Sequence, residues 1–234
     1  MAAGKGTRMK SKNSKLVQKI YGKEIVKRAV ENAQKAGVRD IVAVVGYKKE
    51  EVMKVLGDNI KYAYQDEMLG TGHAVMQAKE YLKGKKGKVL VLNGDVPLIR
   101  PETLNKLIEK SIENKEYATL LTAIYDDPTG YGRIVRDEGG NIEGIVEEKD
   151  TTPEQKKIKE INAGIYCFDI EALLKALEKV TPNNKQGEYY ITDVIQIMND
   201  SGLKTGAVLV EDNTEILGIN DRIQLGILTK VLQM

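Results

Sequence analysis

Ile41-Val42-Ala43-Val44-Val45 is apolar without a break, and four of its five residues are β-branched. Such a run does not alternate as a half-exposed strand does. It reads as a strand buried on both faces, the pattern of a parallel sheet covered by helices. The flanking sequence agrees. From Glu24 to Ala36, apolar residues fall at Ile25, Val26, Ala29, Val30, Ala33 and Ala36, a helical spacing that Gly37 ends. A short helix at 50–56, a strand at 60–64, a helix at 71–82 and a second buried strand at 88–92 follow. The helix expected at 101–114 opens with Pro101-Glu102, a pair suited to a first turn. Strand and helix in this cadence imply an α/β fold with right-handed crossovers.

Beyond residue 118 the pattern becomes strand-rich. Strands are expected at 118–124, 132–136, 142–147 and 161–168, with turns at Asp126-Asp127-Pro128-Thr129-Gly130 and Glu138-Gly139-Gly140-Asn141. Helices return at 170–180, 190–200 and 221–232. No repeat or linker composition interrupts the 234 residues, so one domain is expected, with halves at 1–117 and 118–234. A hydrophobic fraction of 41% suffices for a core, and 36 Lys+Arg against 34 Asp+Glu leaves a net charge of +2. That balance argues against nucleic acid as a partner. No run reaches the ~18 apolar residues of a membrane span, and no secretory h-region follows the N-terminus. The single cysteine, Cys167, lies in Ile165-Tyr166-Cys167-Phe168 and reads as a buried structural thiol in a reducing compartment, the cytoplasm.

In open α/β sheets ligands bind beyond the carboxyl ends of the strands, so the residues after each strand bear the chemistry. The opening Met1-Ala2-Ala3-Gly4-Lys5-Gly6-Thr7-Arg8-Met9 has two glycines for close backbone approach and two cations suited to phosphate. It fits neither the Walker nor the dinucleotide fingerprint, and a basic terminus explains it equally well. Asp95, in Asn93-Gly94-Asp95-Val96-Pro97 after a strand, reads as a Mg²⁺ ligand or as a turn former. Gln65 carries an amide that reads a base edge through paired donor and acceptor groups. Gly70-Thr71-Gly72 opens a helix and favours an anion. His73, the only histidine, has no nucleophile beside it and reads as a packed helix residue. Tyr131, Gly132, Glu147 and Asn162 belong to a polar set of the kind that binds hydroxyl-rich ligands, and Thr192 lies in a polar loop running into a helix. Asn220-Asp221 reads as a helix cap.

Taken together, these segments resemble the sugar-nucleotide pyrophosphorylases. Asp127-Pro128-Thr129-Gly130-Tyr131-Gly132-Arg133 and Gln186-Gly187-Glu188-Tyr189-Tyr190-Ile191-Thr192-Asp193 are the most specific strings. The order of motifs is similar to that in the uridylyltransferase domain of the bacterial N-acetylglucosamine-1-phosphate uridylyltransferases, whose product feeds peptidoglycan and cell-wall synthesis. The resemblance implies a Rossmann-like, GT-A-like nucleotidyltransferase fold with a mostly parallel mixed sheet flanked by helices. It implies that UTP and N-acetylglucosamine 1-phosphate give UDP-N-acetylglucosamine and pyrophosphate. Ala2, Ala3 and Gly4 would contact the nucleotide, with Gln65, Gly70 and Thr71 at uracil. Arg8 and Lys15 would bind phosphates, and Asp95 and Asn220 would hold Mg²⁺. Gly132, Glu147 and Asn162 would hold the sugar, with Tyr131 and Thr192 nearby. Another sugar 1-phosphate or nucleotide, or a non-catalytic sugar-nucleotide-binding domain, are the alternatives.

The resemblance is incomplete in three places. Asn13-Ser14-Lys15 stands where the family often has Leu-Pro-Lys, so a more mobile lysine is expected. Asn93 stands where some members have an aromatic residue. The family's first strand and its C-terminal acetyltransferase β-helix, through which it trimerises, are expected to be absent, and with them the trimer, leaving a monomer.

Overall fold

The computed structural model describes residues 1–6, 9, 11–219 and 224–226. They divide into two units interleaved along the chain. The first comprises 1–68, 92–104 and the described residues from 214, and the second comprises 69–91 and 105–213. The division therefore does not fall at residue 117, because the chain leaves the first unit and returns to it twice.

In the first unit, a hairpin pairs β1 (Lys19–Ile20) with β2 (Lys23–Glu24). Its two-residue turn, Tyr21-Gly22, has φ of 48° and 79°, the left-handed pair that tight hairpins require. Helix α1 (Ile25–Lys35) buries Ile25, Val26, Ala29 and Ala33, the stripe its spacing predicts. The apolar run becomes β3 (Val42–Val45), which pairs in parallel with β4 (Lys61–Tyr64) after a crossover through α2 (Lys49–Leu56). On the far side of β3, Ala2 forms a parallel bridge with Val45. The Ala2 N–H donates to the Val44 carbonyl at 2.7 Å, and the Tyr47 N–H donates to Ala3 at 3.0 Å. The Met1 nitrogen donates to the Leu92 carbonyl, and the Gly94 N–H donates to Met1 at 2.8 Å. Three residues bonded on both sides thus hold the glycine-rich loop that follows them. Leu16, Ile20, Val26, Val45, Val52 and Ile219 pack around Ala2 as the core.

The second unit opens with α3 (Thr71–Met76) and α4 (Lys79–Leu82) in place of the single helix expected at 71–82. The junction tightens into three-residue bonds, Ala78 N–H to Val75 and Tyr81 N–H to Ala78, while the Gln77 amide turns back onto the His73 carbonyl at 3.1 Å. After β5 (Lys88–Val91), helix α5 (Pro101–Glu113) starts in the first unit and ends in the second. The strands β6 (Ala118–Ile124), β7 (Arg133–Arg136), β8 (Ile142–Val146) and β9 (Glu160–Asp169) follow, then α6 (Ile170–Leu177), α7 (Asp193–Asp200) and β10 (Thr205–Leu209). They form one sheet in the order β10-β6-β9-β7-β8, with β5 also on β9.

The ten-residue β9 organises this sheet. It runs antiparallel to β6 along most of its length, and its other edge is shared between β5 and a single pairing with β7. Only β10–β6 is parallel here, so this sheet is mixed, as expected of the strand-rich part of the chain, and each unit holds one parallel pairing, β3–β4 in the first and β10–β6 in the second. Strand β10 was not anticipated, since Thr205-Gly206-Ala207-Val208-Leu209 carries no strong strand pattern. Gly206 is needed there because the buried Glu116 carboxylate occupies the place of a β-carbon. The helix expected from 190 starts at Asp193, because Tyr189 and Ile191 are bonded to residues 69–71. Of the helix expected at 221–232, residues 224–226 are described and are helical.

Candidate functional site

In the first unit, the carboxyl ends of three extended segments come together. Ala2 and Ala3 are buried, Gly46 follows β3, and Gln65, 4% exposed, follows β4. The fit allows no side chain at residue 46. A β-carbon there would lie 2.5 Å from Met68 Cε, 2.6 Å from the Gln65 carbonyl and 3.0 Å from Ala3 Cβ. Gly4 and Lys5 are exposed beyond this point, and Gly6 takes a φ of 56°. Small residues therefore bring bare backbone to the rim of the unit, which is what close approach by a nucleotide requires.

Opposite charges meet beside that backbone. The Lys15 ammonium donates to Asp95 Oδ2 at 2.6 Å, with the two side chains 11% and 21% exposed. The lysine stem lies against Gly6, where a β-carbon would come within 2.8 Å of Lys15 Cδ. The Ile219 N–H donates to the Asp95 carbonyl at 3.0 Å. Among the described residues, no group of three His, Cys, Asp or Glu side chains is arranged to hold a metal ion. Mg²⁺ ordinarily takes one or two carboxylates and completes its shell with water and substrate phosphates, so a lone, accessible Asp95 fits that demand. Arg8 and Asn220 lie outside the described residues.

The second unit offers side chains instead. The Asn162 N–H donates to the Gly132 carbonyl at 2.9 Å, its Oδ1 accepts from the Gly164 N–H at 3.0 Å, and its Nδ2 donates to Tyr166 Oη at 2.7 Å. A β-carbon at Gly132 would lie 3.1 Å from Ile145, with Asn162 Cβ and Glu147 Cδ each at 3.6 Å, so these residues share one small space. Thr192 donates to Glu147 Oε1 at 3.1 Å. Burial raises the Glu147 carboxyl above its ordinary range, with Thr192 pulling the other way. Tyr131 packs edge-on against Tyr125, with ring centroids 5.1 Å apart. Arg133, 1% exposed, donates to the Tyr131 carbonyl and, at 2.7 Å, to Glu148, which fixes the turn that carries Tyr131 and Gly132.

Gly70 and Thr71, grouped with Gln65 by resemblance, belong to this second unit. Gly70 has a φ of 108°, and a β-carbon on it would lie 2.5 Å from the Tyr189 carbonyl. The Gly72 N–H donates to that carbonyl at 2.7 Å, the Tyr189 N–H to Leu69 at 2.8 Å, and the Ile191 N–H to the Thr71 hydroxyl at 3.0 Å. The two motifs, far apart in sequence, are one hydrogen-bonded pair of segments. The His73 ring lies 3.0 Å from Gln77 Nε2 and 6.3 Å from the Tyr189 ring centroid, a packed helix residue. Cys167 is fully buried, and burial raises its thiol further from ionisation.

Sequence reasoning gave no role to Glu51, Tyr166 or Asp193. Glu51 accepts from the Ser14 N–H at 2.7 Å, Tyr166 anchors Asn162, and Asp193 has its carboxyl pushed up to about 6 by burial and by the Asp150 charge. Asp193 was quoted as the end of a motif, and only burial distinguishes it. Glu51 had no sequence signal, because its partner is 37 residues away.

The sequence matches the nucleotidyl transferase family over residues 1–215. It is 53% identical over 233 residues to the Bifunctional protein GlmU of Caldanaerobacter subterraneus subsp. tengcongensis, covering 100% of this chain and 50% of that protein. Against the Bifunctional protein GlmU of Acetivibrio thermocellus it is 52% identical over 225 residues, covering 96% and 49%. The chain thus spans about half the length of the curated relatives it matches. A Bacillus anthracis crystal structure described as a glucose-1-phosphate thymidylyltransferase, in complex with sucrose, superposes with a TM-score of 0.78 at 20% identity, over 98% of this chain and 92% of that one. At that identity the likeness is one of fold.

Proposed function

The chain belongs to the nucleotidyl transferase family, and on that premise we propose that it transfers the uridylyl group of UTP to N-acetylglucosamine 1-phosphate, releasing pyrophosphate. The observation that carries the choice of sugar is the set formed by Gly132, Glu147, Asn162 and Thr192: a backbone carbonyl, a carboxylate, an amide and a hydroxyl in one buried space. These are the group types that grip sugar hydroxyls and an acetamido group. Likeness to the bifunctional relatives over the whole chain supports the same choice.

In this reading a phosphate oxygen of the sugar phosphate forms a bond to the α-phosphorus of UTP, and the bond from that phosphorus to the β-phosphate oxygen breaks, its electrons leaving with pyrophosphate. The nucleophile is already an anion, so no residue has to remove a proton. Catalysis then rests on positioning and on cancelling charge. Backbone groups of Ala2, Ala3 and Gly4 receive the nucleotide, Gln65 reads uracil with Gly70 and Thr71, and Lys15 and Arg8 offset charge on the phosphates. Mg²⁺, held by Asp95 and Asn220, supplies further neutralisation of phosphate oxygens when bound. The Lys15–Asp95 ion pair must open for both side chains to take these parts. A single, buried Cys167 suits a reducing cytoplasm, which is where this reading puts the enzyme.

The test is pyrophosphate release with Mg²⁺ over a panel of nucleoside triphosphates and sugar 1-phosphates. UTP with N-acetylglucosamine 1-phosphate is expected to exceed every other pair by at least ~10²-fold in kcat/KM, since the site's polar groups are unpaired by the wrong partner. Faster turnover of TTP with glucose 1-phosphate would refute the assignment.

A further inference from the structure

Lys15 ends a long flexible side chain, and a role on phosphates requires its ammonium to be held within about 0.5 Å of its working place. Its ammonium bonds to Asp95, a contact for which a substrate or cation competes, and its stem lies against Gly6. The turn at the base of the side chain sets the direction from which the ammonium reaches out.

That base is fixed at Ser14, which is 1% exposed, with φ of −54° and ψ of 140°. Its hydroxyl accepts from the Leu16 N–H at 3.3 Å and caps the single 3-10 turn Lys15–Val17. Its own N–H donates to Glu51 Oε2 at 2.7 Å. Glu51 stands in the first turn of α2, and its other oxygen pairs with Lys48 at 3.3 Å. The short bond from the Ser14 amide holds the Glu51 carboxyl below its ordinary range. A buried amide without an acceptor is costly, so the turn keeps this geometry most readily while Glu51 is present.

We propose that Glu51 is a positioning residue for the transfer reaction: through the Ser14 amide it fixes the turn from which Lys15 reaches the phosphates. The proposal rests on the uridylyltransfer reading and on the part of Lys15 in it.

The dihedral angles provide the test. A φ of −54° lies within the range that a proline ring imposes, and proline has no N–H to satisfy. Ser14→Pro therefore presets the backbone at residue 14 without help from Glu51, while giving up the hydroxyl cap on Leu16, a loss common to the single and double variants. Pyrophosphate release and thermal unfolding are measured for the wild-type chain, Glu51→Ala, Glu51→Gln, Ser14→Pro, the Glu51→Ala/Ser14→Pro double variant and Lys15→Ala. Glu51→Ala is expected to lower kcat about tenfold with KM for the sugar phosphate unchanged, a modest misplacement on the scale of such effects. Glu51→Gln keeps an acceptor oxygen and most of kcat. In the presence of Ser14→Pro, Glu51→Ala is expected to have less than about a twofold effect on kcat, whatever it does to Tm.

An equal loss of kcat from Glu51→Ala with and without Ser14→Pro overturns the proposal. If Ser14→Pro does not fold, the other variants decide: a kcat for Glu51→Gln well above that of Glu51→Ala supports the role, and equal values overturn it. Undiminished kcat in Glu51→Ala beside a crippled Lys15→Ala overturns the proposal and leaves the uridylyltransfer reading standing. A wild-type chain that releases no pyrophosphate overturns both, and a fully active Lys15→Ala overturns the proposal and the part of Lys15 while leaving uridylyl transfer standing.

Discussion

In the first unit the candidate binding groups are the backbone of Ala2, Ala3 and Gly4 and the single buried amide of Gln65, with one ion pair beside them, whereas in the second they are mostly buried side chains that already bond one another. Asn162 uses its backbone and both ends of its amide, and Glu147 is taken by Thr192. The contrast suits the two ligands. A triphosphate needs close approach and positive charge that can be released to it, and the Lys15–Asp95 pair is strong yet accessible. A sugar needs fixed donors and acceptors, and rigid networks supply them. In the first unit, then, chemistry and stability are separable. In the second, the residues proposed to hold the sugar also hold the fold.

Lys15→Ala tests the separable side and carries the largest expected effect. Loss of one charge-stabilising donor costs roughly 100- to 1,000-fold in kcat. Its side chain is 11% exposed, packs on Gly6 and pairs with Asp95, and a loss of about 1 kcal/mol there is expected to move Tm by no more than about 3 °C. A large fall in Tm with kcat preserved would erase the distinction between the units. Gly70→Ala tests the other side. The left-handed φ alone costs about 1–3 kcal/mol for a side chain, and the Tyr189 carbonyl 2.5 Å from the new β-carbon adds to it. Urea unfolding should show a loss of about 3 kcal/mol together with impaired turnover. An alanine variant as stable as the wild type would mean that segments 69–72 and 189–191 are not held as tightly as their bonds suggest.

Asn162 and Tyr166 sharpen the point about shared duty. Asn162→Ala leaves the Tyr166 hydroxyl, 1% exposed, without its partner and should cost about 1–3 kcal/mol while raising KM for the sugar phosphate. Tyr166→Phe strands the Asn162 amide in turn. The double variant should lose less than the two singles combined, because neither residue then leaves the other unpaired. Strict additivity in unfolding free energy would show that the 2.7 Å bond carries nothing.

The same contrast explains what could be read from the chain. The buried strand at 41–45, helix α1 and the strands of the second unit other than β10 were legible because period and β-branching report burial directly. The opening segment was legible only as two glycines and two cations, which a basic terminus explained equally well until the resemblance gave them a part. The side chains of the second unit were legible only as polar residues in motifs. What makes Asn162 rigid is Tyr166, an aromatic that reads as core. What holds the Ser14 amide, at the base of Lys15, is Glu51, which reads as an ordinary helix-surface acid. Asn13-Ser14 was taken to loosen Lys15, yet the serine hydroxyl and amide anchor the turn at both ends. Interleaving of the units was equally hidden, because β9 must be known to accept both β5 and β6 before the crossings of the chain have a reason.

Asp193 gives the smallest expected effect and the most specific signature. Its carboxyl is pushed up to about 6 from an ordinary 3.8, by burial first and by Asp150 second. Below pH 3.8 the folded and unfolded chains both carry the proton, and the group is neutral in its effect. Between 3.8 and 6 the unfolded chain ionises while the folded one keeps its proton, so stability falls as pH rises through that window. Above 6 the folded protein bears the whole penalty. Asp193→Asn removes the titration but also removes a carboxylate from the first turn of α7, where the helix dipole favours it by about 0.3–1 kcal/mol. With partial exposure discounted, the variant should gain about 1 kcal/mol at pH 8 and shrink to no gain near pH 4. Glu147, raised by burial, titrates with the same sign, so the variant should keep part of the downward slope. Urea unfolding from pH 4 to 8 reads both curves. Parallel curves would mean that the charge of Asp193 is not what the second unit pays to keep its polar side chains buried.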